Sequence, residues 1–242
     1  MNKKINEGEK LRLVDYRRLS PKTLFCGEYK YLLLLIFWPI FGACFYSIEV
    51  FRTVENCKHF VMYSPLDDAI PFCELFVIPY MIWFLYIVGM YVYTILFDVE
   101  AFKKYMYFII GTYTVTTIIY LIFPTMQELR PDIEGLGRSN FLTRFMEDFY
   151  NFDTNTNVCP SLHVIGSVAV SVAAWHSKLF GKTGWRIAFT IMTVLISLST
   201  VFLKQHSIID MPWALLVCAV VYPFVYSDTF KAYLKKKFLK AK

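Results

Sequence analysis

Apolar residues gather in six runs, Tyr31–Ile48, Leu75–Phe97, Tyr105–Phe123, Ser161–Phe180, Trp185–Leu203 and Met211–Tyr226, separated by segments that hold most of the charge. Each run is read as a helix crossing a hydrocarbon core of about 30 Å. The first two are almost entirely large apolar residues. The fourth is rich in small ones, with Gly166, Ser167, Ala169, Ser171, Ala173 and Ala174, as required where helix backbones approach closely. It is therefore expected at the centre of the bundle. Between the third and fourth runs, Phe141, Leu142, Phe145, Met146 and Phe149 recur at helical spacing against Arg144, Glu147 and Asp148. That pattern predicts an amphipathic helix at the interface, acting as a lid or as a brace over whatever lies beneath.

Composition turns the pattern into a class. With 57% hydrophobic and 19% aromatic residues and a mean hydropathy of +0.45, the chain carries more apolar surface than a soluble domain of 242 residues can hide. The expectation is an all-α, polytopic membrane protein: a six-helix bundle over 31–226, a basic arm at 1–30 and a basic tail at 227–242. The first run lacks a signal-peptide cleavage pattern and is expected to remain as an anchor.

Nineteen of the 25 Lys and Arg residues fall on the side of the two termini, which predicts both termini cytoplasmic. The net charge of +6 sits mainly in the arm and tail, where it meets anionic headgroups and gives no reason to expect nucleic acid. No Cys or His spacing suggests a zinc site, so no metal and no cofactor are expected. Cys57 and Cys73 lie outside, where a disulfide is permitted, but apolar filler is the preferred reading of the six cysteines. The sequence does not indicate an oligomeric state.

Two strings carry chemistry. Cys159-Pro160-Ser161-Leu162-His163 and Lys204-Gln205-His206-Ser207-Ile208-Ile209-Asp210 each place a histidine at the edge of an apolar run. Ionisable groups in such positions are costly and usually functional. Counting crossings from a cytoplasmic N-terminus puts both strings, and Arg130-Pro131, on the outer face.

The order and spacing of these residues resemble the type 2 phosphatidic acid phosphatase superfamily. That family's signature is a Lys seven residues before Arg-Pro, a Pro-Ser-x-His string, and Ser-Arg followed by His and, four residues later, Asp. Arg130-Pro131, Pro160-Ser161-Leu162-His163, and Ser199 with His206 and Asp210 fall in those places, whereas Phe123, Leu162 and Thr200 replace the usual Lys, Gly and Arg. The resemblance implies a bacterial-type membrane lipid phosphatase that hydrolyses a lipid-linked phosphate or pyrophosphate through a phosphohistidine. It further implies a multi-pass protein of the plasma membrane with an extracytoplasmic site. The substitutions also resemble the branch of inositol phosphotransferases and sphingomyelin synthases, so a headgroup phosphotransferase is the alternative. An idle-site transporter or scaffold is the non-enzymatic one.

The residues support these roles physically. His206 and Asp210 are four apart, so on a helix they share a face and the carboxylate can orient the imidazole while its other nitrogen attacks phosphorus. His163 suits the general acid, with an ordinary pKa close to operating pH. The amides of Ser161 and Leu162 at a helix start, with the Ser161 hydroxyl, favour an anion. Arg130 can bind two phosphate oxygens, and Lys204 can restore one missing charge. The bland alternatives are a structural His–Asp pair and snorkelling cations.

Overall fold

The computed structural model describes residues 12–230 and Ala232; the rest of the basic arm (1–11) and of the basic tail (231 and 233–242) lie outside the described residues. The described chain is helical. Its helices are α1 (Pro21–Phe25), α2 (Phe37–Phe51), α3 (Pro65–Ala69), α4 (Val77–Phe97), α5 (Val99–Ile122), α6 (Phe141–Phe152), α7 (Leu162–Trp175), α8 (Thr183–Phe202) and α9 (Asp210–Tyr226). Four stretches are long and apolar enough to cross a membrane: Lys30–Phe51, Glu74–Phe97, Val99–Ile122 and Thr183–Phe202. The chain is thus membrane-embedded by length and composition. Helices α7 and α9, at 14 and 17 residues, are apolar but shorter.

Local chemistry sets the helix ends. Ser64 and Asn140 each close a capping box at the start of α3 and α6, satisfying amides that have no partner in the first turn. Asp98 alone separates α4 from α5. Its Oδ1 accepts the amide of Ala101 at 3.2 Å, and its Oδ2 accepts that of Lys178 at 2.9 Å, tying the α7–α8 connection to the same corner.

Helix α7 is central, as its small residues predicted. Gly166, Ser167, Ala169, Val170, Ala173 and Ala174 are all buried, and the helix packs on α4, α5, α8 and α9. The main core joins Ile87 and Met90 of α4, Phe108 and Ile109 of α5, Val170 of α7 and Val217 of α9. Helix α2 packs mainly along α5 and buries only Ile48. At the end of the bundle where α7 begins, β1 (Phe60–Val61) pairs in parallel with β2 (Thr125–Met126), and Met126 bridges to Thr156. Three loop segments are stitched together there.

The amphipathic helix appears as α6. It docks through Met146, fully buried against Val77, Tyr80 and Leu203, and so braces the same end of the bundle. All six cysteines are free, Cys57 and Cys73 included.

Candidate functional site

The turn between α8 and α9 carries His206. The carbonyl of Thr200 accepts both the Gln205 amide at 2.9 Å and the His206 amide at 3.1 Å, while Lys204 takes a positive φ of 52° to reverse the chain. His206 lies in this turn and not on a helix, and Asp210 is the first residue of α9. Their side chains nevertheless meet, His206 Nδ1 to Asp210 Oδ2 at 3.0 Å, and the Ser207 amide donates to the same oxygen at 3.1 Å. Asp210 is fully buried and His206 nearly so. The second imidazole nitrogen, Nε2, is not used in this pair.

His163 stands in the first turn of α7. Its ring packs against two aromatic rings of α4, Tyr80 at 4.5 Å and Trp83 at 4.4 Å between centroids. Gly166, one turn further along, makes room for that arrangement. A Cβ there would stand 3.0 Å from both Trp83 Nε1 and the Tyr113 hydroxyl. The two histidine rings face one another edge-on, 5.8 Å between centroids. His176 sits at the opposite end of α7 against Tyr226, away from the pair.

Both histidines line a cavity of about 70 Å³ together with Leu162, Asp153, Asn157 and Gln205. Ser161 is fully buried beside it as the N-cap of α7, accepting the Val164 amide at 3.5 Å. Helix starts leave amides without intrahelical partners, so the start of α7 at Leu162 and His163 presents donors to the cavity.

Neither expected cation lines the cavity. Arg130 gives Nε at 3.1 Å and Nη2 at 2.6 Å to Gln205 Oε1, Nη1 at 2.9 Å to the carbonyls of Tyr150 and Asp153, and Nη2 at 2.9 Å to that of Thr154. All five of its N–H groups are used, so it braces the 150–154 loop and holds Gln205. Burial lowers its pKa against the raising effect of Asp153. Lys204 donates Nζ to the Asp67 carbonyl at 2.5 Å. Thr200, where the resemblance expects Arg, is fully buried and works through its carbonyl.

Other residues shape the site without having been read from the sequence. Glu49, near the end of α2, accepts Thr154 Oγ1 at 2.5 Å, Thr156 Oγ1 at 2.9 Å and Asn157 Nδ2 at 2.5 Å. It latches the loop that forms one wall of the cavity. A signal was present, because Glu49 is an acidic residue at the edge of an apolar run. Asp153 accepts Gln205 Nε2 at 3.3 Å, and burial pushes its carboxyl up despite the opposing pull of Arg130 and His206. Gln205 carried no signal beyond its place inside the second string, and Tyr80 and Trp83, far upstream of both strings, carried none.

No family model, curated protein or solved structure matches the chain.

Proposed function

We propose that the chain is a six-crossing membrane enzyme of the type 2 phosphatidic acid phosphatase kind, with α7 and α9 completing the set of crossings. It releases phosphate from a lipid-linked phosphate or pyrophosphate. The observation that carries this reading is the meeting of His163 with the His206–Asp210 pair at one small cavity, from strings more than forty residues apart. The excess of Lys and Arg on the side of the termini supports a cytoplasmic arm and tail and an extracytoplasmic site, in keeping with a plasma-membrane protein.

The chemistry follows from the roles. Asp210 accepts the Nδ1 proton of His206 and holds the imidazole so that Nε2 carries its lone pair toward the cavity. Nε2 attacks phosphorus, the bond from phosphorus to the leaving oxygen breaks, and His163 gives that oxygen a proton. Water then attacks the phosphohistidine, His163 takes the water's proton, and the P–N bond breaks to release phosphate. The amides at the start of α7 are donors for the spread negative charge of the transition state, with Ser161, which does not itself line the cavity, capping that helix end.

One observation favours the transferase version. The cavity is lined by Asp153, Asn157, Gln205 and Thr156, and by no Lys or Arg among the described residues. Carboxylate and amide groups suit a hydroxylated acceptor, which would replace water in the second step.

The test is incubation of detergent-purified protein with ³²P-labelled phosphatidate and a ³²P-labelled polyprenyl pyrophosphate. We expect released phosphate and an acid-labile, base-stable protein label that is absent from His206→Ala. Glycerol or inositol added to the same tube separates hydrolysis from transfer. Absence of both label and product with every lipid of an extract would overturn the enzymatic reading.

A further inference from the structure

Ser64-Pro65-Leu66-Asp67 opens the five-residue helix α3 in the connection between α2 and α4, far upstream of the histidine turn. Asp67 is 2% exposed, and both its oxygens are committed. Oδ2 accepts the Ser64 amide at 2.8 Å and the Ser207 hydroxyl at 2.5 Å, and Oδ1 accepts the Ile208 amide at 2.8 Å. Its backbone carbonyl takes the Lys204 ammonium.

Only the Ser64 bond belongs to the capping box of α3. The other three end on residues 204–208, the turn that presents His206. The Ser207–Ile208 segment is thereby held from two sides: Asp210 takes the Ser207 amide, and Asp67 takes the Ser207 hydroxyl and the Ile208 amide. A buried carboxylate meeting charge-assisted donors of this kind makes strong and directional bonds. The turn has no helix of its own to hold it, and the direction of His206 Nε2 depends on the backbone that Asp67 grips.

We propose that Asp67 is a positioning residue, fixing the Ser207–Ile208 segment so that His206 Nδ1 stays on Asp210 and Nε2 stays aimed into the cavity. Its consequence for turnover rests on the phosphoryl-transfer reading above; the positioning itself does not. Asp67 also explains Lys204, whose ammonium serves the same clamp and not a substrate phosphate.

The test labels the four histidines of the full chain with ¹⁵N, in detergent, and assigns His206 by its loss in His206→Ala. Asp67→Asn keeps the size but offers a single acceptor oxygen where two are needed, and Ser207→Ala removes one bond of the clamp. In both variants we expect the hydrogen-bonded Nδ1 proton of His206 to move upfield or broaden. Release of ³²P-phosphate should fall about 10- to 100-fold in kcat with KM within about 2-fold, the pattern of a misplaced group that binds no substrate. The double variant should be no slower than Asp67→Asn alone, because both changes break one clamp.

A His206 resonance in Asp67→Asn that matches wild type would overturn the proposal and leave Asp67 as the cap of α3. Should that variant not fold, Ser207→Ala decides by the same criterion. A shifted resonance in a protein whose wild type turns over no phosphoester keeps the positioning and removes the enzymatic reading.

Discussion

One wall of the cavity carries His163, in the first turn of α7, and His206, in the turn before α9 with Asp210 behind it; another, from Asp153 to Val158, is tied to α2 through the carboxylate of Glu49. On the first side, α7 is buried along most of its length and Asp210 is fully enclosed. On the second, α2 buries only Ile48 and leaves Ile40, Tyr46, Val50 and Phe51 exposed. Groups that must keep a geometry therefore stand on the part least able to move. At about 70 Å³ the cavity is far below the roughly 300–1,000 Å³ of sites that enclose a small ligand, and its lining includes the exposed Thr154. The 153–158 wall is held by side chains and short bridges, through Glu49, Arg130 and the pairing of Met126 with Thr156, and not by helix packing.

The largest effect should come from the rigid wall. Replacing His206 by Ala is expected to lower turnover by about 10⁴-fold or more and abolish the covalent label, since His206 is the histidine whose imidazole a buried carboxylate orients. Residual label at another residue would remove His206 from the mechanism. His163→Ala comes next, with a loss of about 10²- to 10⁴-fold on lipid substrates and a much smaller loss on an aryl phosphate whose leaving group needs no proton. Equal losses on the two substrates would count against the acid role.

The latched wall should respond differently. Glu49→Gln replaces a charged acceptor of three hydrogen bonds by a neutral one, and amide exchange across 153–158 should speed up while that of α7 stays unchanged. Turnover should shift by no more than about 10-fold in either direction, as expected of a gating change. Exchange that rises equally on both walls would erase the contrast between them.

The smallest effect concerns pH. Burial raises the Asp153 carboxyl, so between the ordinary carboxylate range and that raised value the folded protein keeps a proton that the unfolded chain has released. Stability therefore falls as pH rises through this window. Asp153→Asn should remove the loss, giving an apparent Tm above wild type at neutral pH and equal to it at the acid end. Curves that coincide at pH 7 would show that Asp153 bears no such burden.

That His206 would meet Asp210 was legible from their spacing, although a turn delivers the contact where a shared helix face was expected. The surroundings of the cations were not legible. Whether Arg130 reaches a ligand depends on which carbonyls the 150–154 loop turns inward, and a sequence pattern does not record that. Glu49 and Asp67 act on residues more than a hundred positions away, so only the tertiary arrangement reveals their partners. Helix limits show the same division. The fourth run was read to Phe180, yet α7 ends at Trp175 because Ser177 turns the chain and takes the Phe180 amide at 3.1 Å; apolar residues in a turn look the same as apolar residues in a helix. The third was read from Tyr105, but α5 starts at Val99, since Glu100, Lys103 and Lys104 sit on its first turns without breaking it.

The shortness of α7 has a mechanical consequence. Fourteen residues rise about 21 Å, against a hydrocarbon thickness of about 30 Å. If α7 crosses the membrane, His163 at its first turn stands below the level of the surrounding headgroups, or the lipid annulus thins to meet it. Hydrophobic mismatch of this kind costs fractions of a kcal/mol per Å, and a thicker bilayer raises that strain. Lipid acyl-chain length then becomes a control on the depth at which the two histidines stand relative to the headgroups, without any change in the protein's own contacts.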